Sequence, residues 1–101
     1  RRVRELVVSN QVMVFSKTWC PFCAKAKAAL NAEGVKYEVL ELDKLPEAEA
    51  SSLQGALQRI TGARTVPRVF VGGSCIGGGD ETSAMQQSGE LRRRIAAARL
   101  G

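Results

Sequence analysis

The feature of the sequence that most constrains the fold is a short apolar run followed at once by a helix signal. Residues 12–15, Val-Met-Val-Phe, are consecutive apolar residues, a pattern typical of a strand buried on both faces of a sheet. Pro21 suits the first turn of a helix, where its missing N–H is no loss, and Gly34 suits the end of that helix. A second strand is predicted over 37–42. Because the connection is a helix, the two strands should be parallel and joined by a right-handed crossover.

The rest of the chain adds helices on either side of this unit and a pair of strands after it. Apolar residues at helical spacing predict the helices, and Gly72-Gly73 predicts a tight hairpin. The sequence therefore predicts an α/β fold with a four-stranded mixed sheet flanked by about five α-helices. A first helix carries Val3, Leu6 and Val7 and stops at Asn10, and a later helix, marked by Leu53, Leu57 and Ile60, ends near Gly62. Two strands are predicted over 68–71 and 74–76. A short helix then starts with Asp80 as its N-cap and runs through Gln87, and a final helix covers 90–100 after a break at Gly89.

The chain has three cysteines and no histidine. An odd number does not suit the disulfide framework of a small secreted protein, and Cys20 and Cys23 are too close in sequence to join distant segments. Such a C-x-x-C pair indicates a reducing compartment and a chemical role. Zinc would need two further ligands and only Cys75 is available, so we expect no metal. For Cys75 two interpretations stay open: a small buried apolar residue of a strand, or a secondary thiol that oxidises or links two chains.

Charge and hydropathy limit the partners and the location. The net charge of +5 is spread along the chain, and the basic run Arg92-Arg93-Arg94 alternates with apolar residues as on a solvated helix face. We therefore expect no nucleic-acid partner. No apolar stretch approaches the roughly 20 residues that cross a bilayer, and no secretory signal follows the charged start. We expect no membrane association and a cytoplasmic location. A first residue other than Met leaves an organellar location open, if a targeting peptide has been removed.

Cys20 and Cys23 differ in their predicted environments. Cys20 lies between the first strand and the helix that begins at Pro21, and a helix N-terminus favours a thiolate because its free N–H groups and its dipole are positive there. Lys17 adds positive charge three residues upstream. Cys23 lies one turn into the helix, on the stripe that faces the core. We expect Cys20 to be an exposed, acidic nucleophile and Cys23 to be a buried, less acidic resolving thiol.

Three motifs stand in an order and spacing that resemble those of the dithiol glutaredoxins. They are the run from Lys17 through Cys23 (K-T-W-C-P-F-C), then Thr65-Val66-Pro67, then Ile76-Gly77-Gly78-Gly79-Asp80. The stretch over residues 57–70 resembles the eukaryotic members, and the resemblance covers nearly the whole chain. It implies a thioredoxin fold, a single glutaredoxin domain over residues 1–101, and a groove for glutathione as reductant and co-substrate.

The resemblance also implies how the groove holds glutathione. The peptide bond before Pro67 would be cis and would leave the Val66 backbone able to pair with the ligand like an added strand. The glycyl carboxylate would be received by Lys17 and Gln54, with Arg64 assisting.

At the other end of the ligand, Asp80 would meet the γ-glutamyl group, beside helix N–H groups that suit its carboxylate. Two residues depart from the family pattern. Phe22 stands where most members have Tyr, which should alter the rate and not the reaction type. Glu81 stands where Asp, Ser or Thr is common, so its contact with the γ-glutamyl group is left open. The full predicted glutathione-binding set is Lys17, Phe22, Gln54, Arg64, Thr65, Val66, Pro67, Gly78, Asp80 and Glu81.

The function that the resemblance implies is a glutathione-dependent thiol–disulfide oxidoreductase with Cys20 and Cys23 as its catalytic pair. It would act as a monomer on glutathionylated proteins and on protein disulfides, with glutathione reductase as an indirect partner. Two alternatives stay open: an iron–sulfur carrier in which two chains hold a cluster through Cys20 and glutathione, and a thioredoxin-like reductase served by a flavoprotein. Pro21 favours thiol–disulfide exchange over iron–sulfur cluster binding, because the family members that assemble clusters usually have Ser or Gly at this position.

Overall fold

A strand buried on both faces is the centre of the fold, as the apolar run predicts. The structure is a computed structural model that describes residues 2–99. All five residues of this first strand are buried. The elements, in chain order, are α1 (Arg2–Ser9), β1 (Val12–Ser16), α2 (Pro21–Ala32), β2 (Glu38–Glu41), a 3-10 turn (Leu42–Lys44), α3 (Glu47–Thr61), β3 (Arg68–Val71), β4 (Ser74–Gly77), α4 (Gly79–Ser88) and α5 (Glu90–Arg99).

The four strands form one mixed sheet in the order β2-β1-β3-β4. β1 and β2 are parallel, with Ser16 opposite Glu41 at their carboxyl ends. β1 and β3 are antiparallel, and β4 returns antiparallel to β3. The strand–helix–strand unit and the hairpin are both confirmed, and the predicted four-stranded mixed sheet with five α-helices is the observed architecture.

Side chains of β1 alternate between two cores, one on each face of the sheet. Val12 and Val14 pack with residues of α2 and α5. Met13 and Phe15 pack with residues of α1 and α3, and the Phe15 ring meets the Phe70 ring edge to face at 5.8 Å. Because α4 packs against α2 and α5, the first turns of α2 and α4 lie side by side. That contact brings two helix N-termini to the same edge of the molecule.

Two of the predicted element boundaries are corrected by the structure. The second strand ends at Glu41, because Leu42 begins a 3-10 turn that puts its side chain, fully buried, into the core on the α1 and α3 side. Asp80 was predicted as a helix N-cap, and this is wrong. The helix begins one residue before it, with Gly78 as the N-cap and the Glu81 side chain accepting the Gly78 N–H. Leu100, in the predicted last helix, lies outside the described residues.

The glycine at the end of α3 is required by its backbone. Gly62 closes the helix with φ +84°, and its N–H donates to the carbonyl of Gln58. Only glycine adopts this left-handed conformation without strain. Within residues 2–99, no helix is both long enough and apolar enough to cross a membrane.

Candidate active site

Cys20 is the N-cap of α2, and its sulfur performs the capping. The residue has extended backbone angles (φ −87°, ψ 119°), Pro21 follows at the first helical position, and Sγ accepts the backbone N–H of Cys23 at 3.3 Å. The sulfur also lies 3.9 Å from the carbonyl oxygen of Val66. Turning the side chain under the helix end leaves only 9% of Cys20 exposed. The expectation of an exposed thiol is therefore wrong, because the sulfur turns inward toward the Cys23 N–H and the Val66 carbonyl.

Cys23 is fully buried on the inner side of α2. Its Sγ accepts the backbone N–H of Lys17 at 3.4 Å. Burial raises the pKa of the Cys23 thiol above its ordinary value, and the hydrogen bond with Cys20 raises it further. The predicted contrast in burial between the two cysteines is therefore present, although it is smaller than expected.

The loop that carries Cys20 is fixed by an acidic residue that the sequence analysis missed. Asp43, in the turn after β2, accepts the backbone N–H of Thr18 at 3.0 Å and also the Thr18 hydroxyl. These two hydrogen bonds hold the pKa of Asp43 below its usual value. The sequence contains a partial signal for this contact. Because β1 and β2 are predicted to be parallel, the residues that follow them should meet at one edge of the sheet.

A polar groove of about 500 Å³ lies on one side of Cys20. Lys17 and Trp19 border it, and the Lys17 ammonium lies 5.5 Å from the centre of the Trp19 ring. Gln54 donates to the carbonyl of Arg64 at 3.2 Å, while the Arg64 guanidinium donates to the Ser51 hydroxyl at 3.0 Å. Three of the residues predicted to bind the glycyl carboxylate are thus brought together.

A second groove of about 330 Å³ lies on the other side of Cys20. The Val66–Pro67 peptide bond is cis, as the resemblance implies. Gly79 lies directly against α2, where an added Cβ would come within 2.4 Å of the Phe22 carbonyl oxygen. This groove holds the remaining predicted glutathione residues and adds Arg68 and Gly79. Its lining residues are Phe22, Thr65, Val66, Pro67, Arg68, Gly78, Gly79, Asp80 and Glu81.

The carboxylates at this second groove are already engaged. Asp80 forms an ion pair with Lys25 of α2, with an Nζ–Oδ1 distance of 2.7 Å. The Glu81 carboxylate accepts the Gly78 N–H at 2.8 Å. Neither pairing was predicted from the sequence, because each depends on how α4 docks or begins.

Two other features lie outside these grooves. Cys75 is half-buried on β4 and packs against the core on the α1 and α3 side. A groove of about 580 Å³ at the opposite end of the sheet, beside Asn10 and Tyr37, contains none of the predicted site residues. Across the described part of the chain, no group of three His, Cys, Asp or Glu side chains is placed to hold a metal ion.

Known proteins resemble this chain over most of its length. The glutaredoxin family model matches residues 12–76. A glutaredoxin of Vernicia fordii is 52% identical over 90 residues, which cover 89% of this chain and 85% of that protein.

Two solved structures share the fold. Oxidized glutaredoxin 2 of Chlamydomonas reinhardtii superposes with a TM-score of 0.90 at 46% identity, covering 96% of this chain and 90% of that one. A buckwheat glutaredoxin–glutathione complex gives a TM-score of 0.87 at 38% identity, covering 96% and 86%. The chain therefore belongs to the glutaredoxin family of thiol oxidoreductases, with the thioredoxin fold that its motifs imply.

Proposed function

We propose that this protein reduces glutathione mixed disulfides and protein disulfides through Cys20 and Cys23, with glutathione as the reductant. The observation that carries the proposal is the position of the Cys20 sulfur at a helix N-terminus. Trp19, its neighbour in sequence, borders one groove, and Val66, whose carbonyl it contacts, borders the other. Glutathione has a carboxylate at each end and a sulfur in the middle, so it matches this layout. The buckwheat relative, solved as a complex with glutathione, supports the same assignment.

In the first step the Cys20 thiolate attacks the glutathione sulfur of a mixed disulfide. The bond between that sulfur and the substrate protein breaks, the substrate sulfur leaves with the electron pair and takes a proton from solvent, and Cys20 becomes glutathionylated. The N–H of Cys23 points at the Cys20 sulfur and stabilises its negative charge before the attack. A second glutathione then attacks the glutathione sulfur on Cys20, and glutathione disulfide departs.

The two grooves divide the ligand between them. We call the groove at Lys17, Gln54 and Arg64 the glycyl end, because its two cationic side chains suit the glycyl carboxylate. We call the groove at Asp80 and Glu81 the γ-glutamyl end, because the first N–H groups of α4 suit a carboxylate. Between the two ends, the Val66 carbonyl faces the Cys20 sulfur, and the Val66 backbone would pair with the cysteinyl part of glutathione.

Cys23 acts when the substrate is a protein disulfide. Cys20 first forms a mixed disulfide with the substrate protein, and the Cys23 thiolate then attacks the Cys20 sulfur. This step forms the Cys20–Cys23 bond and releases the second substrate thiol. Because Cys23 is one helical turn from Cys20 and already in hydrogen-bond contact through its N–H, the closing reaction needs little movement. Two glutathione molecules then break the Cys20–Cys23 bond in two successive exchanges, which restores both thiols and releases one molecule of glutathione disulfide.

The test is a coupled assay with glutathione reductase, run on the wild type and on Cys23→Ser. We expect the wild type to turn over both a glutathionylated protein and a protein disulfide. Cys23→Ser should keep the first activity and lose most of the second. If the wild type failed to use glutathione but accepted electrons from a flavoprotein reductase, the thioredoxin-like alternative would replace our proposal. Equal loss of both activities in Cys23→Ser would contradict the division of roles.

We also propose that the protein works as a monomer and that glutathione reductase acts on it only by regenerating glutathione. Size-exclusion chromatography with light scattering tests the first statement. The cytoplasmic location stays a prediction, to be checked by localising the full-length protein in cells.

A further inference from the structure

The γ-glutamyl end holds two acidic and two basic side chains, contributed by three different elements. Asp80 and Glu81 come from α4 and line the groove together with Arg68 from the start of β3. Lys25 of α2 does not line the groove itself but pairs with Asp80, with an Nζ–Oδ1 distance of 2.7 Å. The formal charges of these four side chains cancel. An amino acid head group, which carries one ammonium and one carboxylate, matches such a balanced surface better than a simple cation or anion does.

Lys25 reaches Asp80 because of the way the two helices are packed. Phe22 and Lys25 are three residues apart and therefore lie on the same face of α2. Gly79 rests against the Phe22 backbone, where an added Cβ would meet the carbonyl oxygen at 2.4 Å. Asp80 follows Gly79, so it comes level with Lys25. The pairing is thus fixed by helix docking in the first two turns of α2, the helix that Cys20 caps.

We propose that Lys25 is a specificity-determining residue for glutathione. By neutralising Asp80, its ammonium holds the γ-glutamyl end at zero net charge and suits it to a head group that carries both charges. Without Lys25, the unpaired Asp80 carboxylate would favour a ligand with an ammonium alone and would repel one with a carboxylate alone. The inference rests on the proposed use of glutathione and adds a residue that the resemblance does not assign.

A merely structural role for the ion pair would leave specificity unchanged. The Lys25 and Asp80 side chains are 49% and 65% exposed, and ion pairs this exposed contribute little to stability. Lys25→Met should therefore fold normally. Lys36→Met is a matched control, since Lys36 is also exposed, loses the same charge, and lies beside the groove at the opposite end of the sheet.

The experiment compares three mixed disulfides of 2-mercaptoethanol in a Cys23→Ser background, where only the first transfer occurs. One carries glutathione, one carries N-acetylglutathione, which lacks the ammonium, and one carries 4-aminobutanoyl-Cys-Gly, which lacks the γ-glutamyl carboxylate. The chain has one tryptophan, Trp19 beside Cys20, so stopped-flow fluorescence reports each second-order rate constant. The readout is the rate constant for the ammonium-only compound divided by that for the carboxylate-only compound.

We expect Lys25→Met to raise this ratio by about tenfold at low ionic strength, about threefold from each compound. In 1 M salt the shift should nearly vanish, because the charges are exposed to solvent. Lys36→Met should leave the ratio unchanged. A ratio in Lys25→Met equal to that of the control, or a shift that persists in 1 M salt, would overturn the inference while leaving the proposed function intact. If the parent protein did not react faster with the glutathione compound than with both analogues, the proposed use of glutathione would fail as well.

Discussion

The Cys20 sulfur and the backbone N–H of Cys23 are joined by a 3.3 Å hydrogen bond, so the sulfur that we propose as the nucleophile is also the cap of the α2 helix. A helix begins with N–H groups that lack partners within the helix. Here one of them is satisfied by the side chain of the proposed nucleophile. Helix stability and thiol reactivity therefore depend on the same contact, and substitutions of Cys20 can separate them.

Cys20→Ser and Cys20→Ala should both be inactive but should differ in stability. A serine hydroxyl accepts the Cys23 N–H as the sulfur does, whereas alanine leaves this N–H without a partner. We expect Cys20→Ala to be about 1 kcal/mol less stable than Cys20→Ser. Urea unfolding followed by circular dichroism measures the difference. Equal stability of the two variants would show that the sulfur does not contribute as a cap.

The closing of the Cys20–Cys23 disulfide should be strongly pH-dependent. Thiol–disulfide exchange proceeds through the thiolate, and burial raises the pKa of Cys23 above its ordinary value of 9.0. The closing rate should therefore rise by about tenfold per pH unit through the neutral range and should keep rising past pH 9. Stopped-flow Trp19 fluorescence on the Cys20 mixed disulfide measures it, with Cys23→Ser as the blank. A plateau below pH 9 would contradict the raised pKa.

Much of the site could be predicted from the sequence because its signals are local. The C-x-x-C spacing predicts a reactive pair, and Pro21 fixes the helix start that places Cys20 at the N-terminus of α2. Gly62 likewise marks the end of α3. Proline and glycine each restrict or permit particular backbone angles at their own position. The positions of these helix ends can therefore be predicted from a few neighbouring residues of the sequence.

What could not be predicted depends on docking between distant segments. Lys25 and Asp80 meet because α2 packs on α4. For Thr18 and Asp43, the parallel strands bring the two loops to one edge of the sheet, but which residues pair there depends on how each loop turns. The burial of Cys20 depends on the direction in which its side chain turns. The prediction of Asp80 as the N-cap is wrong because Gly78 takes that position. The Glu81 carboxylate favours Gly78 by accepting its N–H.

Asp43→Asn should slow the reaction of Cys20 with disulfides and should make the free energy of unfolding less sensitive to acidic pH. The hydrogen bonds from Thr18 hold the Asp43 pKa below 3.8, so the ionised carboxylate stabilises the fold at neutral pH. That contribution is lost as pH falls through the lowered pKa. The wild type should therefore be more stable than Asp43→Asn at pH 7, and the gap should close under acid.

Activity tests the same residue in a second way. Because Thr18 lies in the loop before Cys20, loss of the carboxylate should lower the rate constant of Cys20 by roughly two- to tenfold. Thr18→Val removes one of the two hydrogen bonds and serves as the partner in a double-mutant cycle. Additive effects of the two substitutions would show that Asp43 acts on something other than Thr18.

Gly79→Ala should separate the first turns of α2 and α4, whereas Gly55→Ala should not disturb the protein. At Gly79 an added Cβ would lie 2.4 Å from the Phe22 carbonyl oxygen, and backbone cannot swing aside as a side chain can. At Gly55, inside α3, the nearest atoms are flexible guanidinium nitrogens of Arg59 and Arg64 at 3.6 Å, an ordinary contact distance. We expect Gly79→Ala to cost about 1–3 kcal/mol of unfolding free energy and Gly55→Ala to add about 0.4–1 kcal/mol.

The same pair of variants tests whether helix docking builds the γ-glutamyl end. Moving α4 away from α2 displaces Asp80 and the N–H groups of its helix relative to the Cys20 sulfur, so Gly79→Ala should raise the KM for a glutathione mixed disulfide more than it lowers kcat. Gly55→Ala should leave both constants near their wild-type values. Urea unfolding gives the stabilities, and the coupled reductase assay gives the constants. If Gly79→Ala lost stability but kept its KM, the γ-glutamyl group would not bind between these two helices.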